Sequence, residues 1–170
     1  MQIEVLRLNH RISRDARVST HVALTARALG ASKIFYCGQK DSNIEQSINK
    51  ITEKFGGPFQ IEHIKDPIYL LNQKKKEGFI IIHLTVYGKD FKNIQNIIKN
   101  RKMLVIVGGE KVEGVFYNLA DYNLSITNQP ISEVSALGIF LYEIHGYKKE
   151  FINAKLKVIG VQKGKLLKQL

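Results

Sequence analysis

The sequence predicts an α/β fold, a mostly parallel sheet covered by helices, and three observations carry that prediction. Short β-branched runs alternate with amphipathic stretches along the chain, as in repeated β-α units. Val105-Ile106-Val107 empties directly into Gly108-Gly109-Glu110-Lys111-Val112. Asn123-Leu124-Ser125-Ile126-Thr127 empties in the same way into Asn128-Gln129-Pro130-Ile131-Ser132-Glu133. In open α/β sheets ligands gather beyond the carboxyl ends of strands, where glycine lets the backbone approach closely, so two such neighbouring loops predict one pocket. At 170 residues one domain suffices, long enough to bury about two-thirds of its unfolded surface.

Taken in order, strands are predicted at Ile3 to Leu8, Lys33 to Cys37, Gly78 to Thr85, Met103 to Val107 and Asn123 to Thr127. A first helix capped by Ser19 or Thr20 runs through Leu29 and closes at Gly30. A second starts near Asp41 and must end before Gly56-Gly57-Pro58. Lys89 to Lys99 carries Phe91, Ile94, Ile97 and Ile98 at helical spacing, whereas Lys74-Lys75-Lys76 reads as a solvated polar loop. The last major helix holds Val134, Leu137, Leu141 and Ile144 and is nearly apolar from Val134 to Leu141, a pattern shared by core helices and helices that also form dimer interfaces. Beyond Tyr147, Lys155 to Val161 is a basic alternating strand, and Gly164 introduces a lysine-rich second half of a hairpin.

A formal net charge of +11, from 26 Lys+Arg against 15 Asp+Glu, favours a polyanionic partner, most often nucleic acid; a basic surface without such a partner is the bland alternative. A single cysteine, Cys37, can form no internal disulfide, which points to an intracellular, cytoplasmic chain and to a core role for that thiol. The five histidines lack paired ligand spacing, so no metal is expected. Met1 leads straight into an alternating strand pattern rather than a signal peptide, and no apolar run approaches the roughly 20 residues of a membrane span.

Two constellations can carry chemistry. Arg11, Arg14 and Arg17 cluster in a basic loop before the first helix, where guanidinium groups and a helix N-terminus together suit phosphates. The other is the trio of loops after Thr85, Val107 and Thr127, which offers Leu84, Tyr87, Gly88, Gly108 to Val112 and Ile126 to Glu133 as apolar walls, exposed backbone and a few polar ends. None has the spacing of a dinucleotide fingerprint or a Walker loop, which counts against hydride transfer and ATP hydrolysis. An adenosine bearing an amino-acid tail fits such a lining.

Arg11 and Arg17, Ser19-Thr20-His21-Val22-Ala23-Leu24-Thr25-Ala26-Arg27-Ala28-Leu29-Gly30-Ala31, Gly56-Gly57-Pro58-Phe59, His83-Leu84-Thr85-Val86-Tyr87-Gly88, Gly108-Gly109-Glu110-Lys111-Val112 and Asn128-Gln129-Pro130-Ile131-Ser132-Glu133-Val134 occur in order. Together they closely resemble the archaeal tRNA ribose 2′-O-methyltransferases that modify cytidine 56 of the TΨC loop. The resemblance implies a SPOUT-type fold with a C-terminal trefoil knot; residues 1–154 are read as that domain, and the basic pattern over 155–170 as a strand or hairpin extension. It implies S-adenosylmethionine held by Leu84, by Gly108, Gly109, Glu110, Lys111 and Val112, and by Ile126, Thr127, Asn128, Gln129, Pro130, Ile131, Ser132 and Glu133. It further implies tRNA gripped by Arg11, Arg14 and Arg17, a homodimer, and an early arginine at the reacting ribose: Arg17 first, with Arg27 and His21 as rivals. Ile131 stands where many members carry histidine, so that side chain has no acid–base role. A non-catalytic RNA-binding domain, or a ribose methyltransferase acting at another RNA site, shares most of these features.

Overall fold

The computed structural model describes residues 2–109, 111–147 and 151–170. Its strands are β1 (Ile3–His10), β2 (Lys33–Gly38), β3 (Gln60–His63), β4 (Ile80–Asp90), β5 (Met103–Val107), β6 (Tyr122–Ser125), β7 (Leu156–Ile159) and β8 (Leu166–Gln169). Its helices are α1 (Ile12–Ala28), α2 (Ser42–Phe55), α3 (Pro67–Lys76), α4 (Gln95–Ile98), α5 (Gly114–Leu119) and α6 (Glu133–His145), with a single 3₁₀ turn at Phe91–Asn93. The first six strands make one parallel sheet in the order β3-β2-β1-β5-β4-β6, and β7 with β8 forms a separate antiparallel hairpin.

The period-2 alternation of β5 shows how the sheet organises the core. Met103, Val105 and Val107 pack on one face with α1, α2 and α6, while Leu104 and Ile106 pack on the other with α3 and α5. All five residues are buried, as a central parallel strand covered on both faces requires. Cys37 lies in the second of these layers, and burial pushes its thiol pKa up.

Several elements depart from the sequence reading. The first helix begins at Ile12 rather than at Ser19 or Thr20, so the arginine cluster is helical and not a loop. Asp15 closes that first turn by accepting from the Arg11 backbone N–H at 3.2 Å and from its Nε at 3.0 Å. Burial acts to raise the Asp15 pKa, but the Arg11 bond and charge outweigh it and hold the carboxyl below its usual range. Ser19 is buried with its hydroxyl 2.9 Å from His10 Nδ1, and Thr20 donates to the Ala16 carbonyl, so both sit inside the helix. Lys74-Lys75-Lys76 is the last turn of α3, where Lys74 bridges Glu4 at 2.8 Å and Glu77 at 2.9 Å. The helix expected from Lys89 to Lys99 is reduced to the 3₁₀ turn and α4, because β4 continues to Asp90.

That continuation positions the site. Leu84 pairs with Leu124 of β6; after an irregularity Lys89 pairs with the same Leu124, and Asp90 with Ser125. The segment between the two arms of β4 therefore passes against the backbone of β6. Gly88 makes the closest approach, since a Cβ there would stand 2.4 to 2.6 Å from the backbone C, N and Cα of Leu124.

Candidate active site

A cleft of about 430 Å³ opens where β4, β5 and β6 end. From β4 and its continuation come His83 to Tyr87, from the β5 loop Gly108, Gly109 and Val112, and from the β6 loop Ile126, Thr127, Pro130 and Ile131. Glu133 and Ala136 of α6 and Tyr117 of α5 complete it. This volume lies in the range of small-molecule sites, and the mixture of apolar wall and few polar groups is typical of them.

Local structure explains why the loops converge. Gly108 turns the chain back so tightly that a Cβ would sit 2.2 Å from Val112 Cγ2. Asn128 does not line the cleft; its Nδ2 donates to the Val86 carbonyl at 2.6 Å and the Gly88 carbonyl at 3.2 Å, tying the β6 loop to the β4 continuation. Ser132 is likewise spent locally, capping α6 by accepting from the Val134 N–H at 3.2 Å. The Gln129 N–H donates to Thr127 Oγ1 at 3.3 Å, Lys111 is exposed outside the lining, and Glu110 lies outside the described residues.

Leu84, Gly108, Gly109, Val112, Ile126, Thr127, Pro130, Ile131 and Glu133 are thus brought together as expected. Sequence reasoning missed His83, Thr85, Val86, Tyr117 and Ala136. His83, Thr85 and Tyr117 form a polar wall: His83 Nδ1 is 2.9 Å from Asn123 Oδ1, Asn123 Nδ2 donates to the Tyr117 carbonyl, and the Tyr117 hydroxyl is 3.2 Å from Thr85 Oγ1. The Tyr117 ring stands edge-on to His83 at 4.6 Å. Burial holds His83 below its ordinary pKa, outweighing the Asn123 bond that acts in the other direction. The signal for Tyr117 was the short helix opening at Gly114, too brief to register as a period.

Arg11, Arg14 and Arg17 are exposed near the start of α1, at the carboxyl end of β1 and so at the same end of the sheet as the cleft. Arg17 and His21, both exposed on α1, do not line the cleft of their own chain. Arg27 is corrected outright: it is buried, donates to the Gly56 carbonyl and lies 4.6 Å from the centre of the Phe151 ring. That places it by the amino end of β3, with no reach to the cleft. Among the described residues no three His, Cys, Asp or Glu side chains gather into a metal-binding group, and no helix is long and apolar enough to cross a membrane.

Comparison with known proteins agrees with this architecture. The chain is 21% identical to the Aquifex aeolicus TrmH/SpoU tRNA modifying enzyme, with a TM-score of 0.63 over 85% of this chain and 74% of that one. It is 17% identical to an AdoMet-bound rRNA methyltransferase from Sinorhizobium meliloti, with a TM-score of 0.65 over 84% of this chain and 55% of that one. At these identities the likeness is one of fold. Nearer relatives are the tRNA (cytidine(56)-2′-O)-methyltransferases of Thermococcus kodakarensis, 44% identical over 99% of this chain and 97% of the relative, and of Methanocaldococcus jannaschii, 45% identical over 98% and 96%. The profile of the family described as tRNA ribose 2′-O-methyltransferase, aTrm56, matches residues 55–168. With its parallel sheet, its three-loop cleft and near full-length identity above 40% to these relatives, the chain belongs to the tRNA ribose 2′-O-methyltransferase family.

Proposed function

We propose that this protein transfers the methyl group of S-adenosylmethionine to the ribose 2′-hydroxyl of cytidine 56 in tRNA. The observation that carries the reading is the convergence of three strand ends on one cleft in a chain that matches cytidine-56 methyltransferases along nearly its whole length. The lining fits the donor. Gly108 and Gly109 expose backbone, Leu84, Val112 and Ile126 supply apolar wall for an adenine, and Glu133 offers a carboxylate to a cationic ligand. Bound S-adenosylmethionine would supply an electrophilic methyl carbon to the ribose oxygen, with the neutral thioether S-adenosylhomocysteine as the leaving group. The protein's part is then to position the hydroxyl and ease loss of its proton.

Arg17 is the group we assign to the reacting ribose, with Arg11 and Arg14 on RNA phosphates. Because Arg17 does not line its own cleft, this assignment goes with a homodimer in which α1 of one copy faces the cleft of the other. The exposed stripe of α6, Ile139 and Tyr142, is the surface that favours self-association. Leu137, Phe140 and Leu141 of the same helix are fully buried in their own chain and belong to the core instead. Light scattering on Ile139→Glu tests this: a dimeric parent should become a monomer, since an unpaired carboxylate in an apolar interface costs several kcal/mol. The double pairing of Leu124 with Leu84 and Lys89 supports a trefoil-knotted path at this end of the chain.

The decisive experiment is mass mapping of ribose methylation on an unmodified tRNA transcript incubated with protein and donor. One methyl on the ribose of cytidine 56 is expected. Modification at another nucleotide, or none, overturns the reading.

A further inference from the structure

The C-terminal hairpin stands apart from the sheet and from the cleft. Its base is fastened to the α2–β3 junction: Ile152 and Gly57 exchange backbone hydrogen bonds of 2.9 and 3.0 Å, the Lys155 N–H donates to the Lys54 carbonyl at 2.9 Å, and the Lys155 ammonium pairs with Glu53. Leu170 returns to the base by donating to the Lys155 carbonyl at 2.9 Å. Beyond that base the arm is open, with every residue of β8 exposed. The amino end of β3 lies at the opposite end of the sheet from the cleft and four strands away from β4, roughly 20 Å across the sheet alone. The arm therefore cannot touch the chemistry in its own chain.

Its charge is one-sided. Residues 151–170 contain five lysines, at 155, 157, 163, 165 and 168, and no aspartate or glutamate. Lys155 is neutralised at the base by Glu53, whereas Lys157, Lys163, Lys165 and Lys168 form no ion pair with a described residue. The register sets Lys157 directly across from Lys168. Side chains at such positions lie about 5 Å apart at Cβ, and like charges there oppose hairpin formation. A two-stranded hairpin is marginal on its own, so an uncompensated pair of ammonium groups across its strands weakens an already weak element. An anion seated between the two reverses the sign of that interaction.

We propose that this hairpin is an arm that grips the phosphate backbone of RNA away from the reacting nucleotide, with Lys157 and Lys168 straddling a phosphate and Lys163 and Lys165 adding contacts near the tip. This rests on the reading of tRNA as substrate, and it names the part of the chain that extends the RNA footprint beyond the cleft. The occupant is chosen by charge: four lysines that pair with no described residue, and no acid in the segment, suit a polyanion. Val158, Leu167 and Leu170, also exposed, leave a second copy of this chain as the competing occupant.

The test compares the parent with Lys157→Gln/Lys168→Gln and with the variant that also carries Lys163→Gln/Lys165→Gln, on full-length tRNA transcript and on an isolated T-arm stem-loop. Thermal unfolding of the double variant should match or exceed the parent, because a repulsive pair is gone. The parent should bind full-length tRNA more tightly than the stem-loop; the double variant should flatten the salt dependence by about one, for the single phosphate that its pair straddles, and the quadruple variant should flatten it further, lose about tenfold on full-length tRNA and nearly erase that difference. Donor affinity and the saturated methylation rate on the stem-loop should stay at parent values. Unchanged tRNA affinity and salt slope in both variants overturn the proposal. So does loss of self-association by light scattering with RNA binding intact, which assigns the arm to a second copy. Failure of methyl transfer by the parent counts against the functional reading alone, since the arm is judged by RNA binding.

Discussion

The Arg7 guanidinium, buried in β1, stands 3.6 Å from the Glu133 carboxylate at the start of α6. Among the described residues its Nε and Nη1 find no hydrogen-bond partner, and Nη1 lies 3.9 Å from where a Cβ on Gly109 would be. The pair joins the central sheet to the mouth of the cleft. Its two halves are unequal, because the Arg7 side chain is 2% exposed and that of Glu133 28% exposed. Removing the carboxylate strands a buried cation, whereas removing the guanidinium leaves an acid that can reach water. Glu133→Ala should therefore cost about 3 kcal/mol and Arg7→Met distinctly less, measured by urea unfolding. Equal losses would show that water already compensates Arg7.

Gly88 should tolerate no side chain. A Cβ there meets backbone atoms of Leu124 at 2.4 to 2.6 Å, and strand-paired backbone cannot yield as a flexible side chain can. Gly88→Ala should lose at least about 3 kcal/mol and the cleft with it, the upper end of overpacking costs. Gly114→Ala, where nothing lies within 4 Å, is the control and should be neutral or slightly stabilising. Paired thermal melts decide it; similar melting temperatures for the two variants would disprove the close approach.

Stability should fall with acidification through His83. Burial holds its pKa below the ordinary 6.5, so as pH drops the unfolded chain takes up this proton before the folded one does. Its contribution is complete above 6.5 and declines progressively below that value. Denaturant titrations from about pH 7.5 to about pH 5 should show this decline, and His83→Gln should flatten it relative to the parent. A parallel slope in the variant would remove His83 as the cause.

Chemistry and grip should separate within α1. Arg17→Ala should abolish methyl transfer at saturating tRNA with donor affinity nearly constant, while Arg14→Ala weakens tRNA binding and lowers the salt slope by about one. Arg11→Ala should likewise weaken tRNA binding and lower the slope. Single-turnover rates give the answer. A near-normal saturated rate for Arg17→Ala would move the reacting group elsewhere, and Arg27, held at Gly56, is not the place to look.

Periodicity and glycine placement by themselves determined the parallel α/β class, the β5 strand from Met103 to Val107, the α2 and α6 helices, the terminal hairpin and most of the cleft. These are local properties: a period of two or of 3.6 residues and a loop that needs exposed backbone are written in consecutive side chains. What depended on distant partners was decided only by tertiary structure. Asp15 closing a turn on Arg11 moved the start of α1 to Ile12, and pairing of Lys89 with Leu124 turned an apparent helix start into strand. Lys74 became a bridge because the fold brings Glu4 beside it, and Tyr117 reached the cleft because β6 sets Asn123 between its carbonyl and His83. Asn128 shows the division most clearly: its amide and its loop were legible, but its partners, the carbonyls of Val86 and Gly88, are forty residues or more away in sequence and meet it only once β4 has passed against β6.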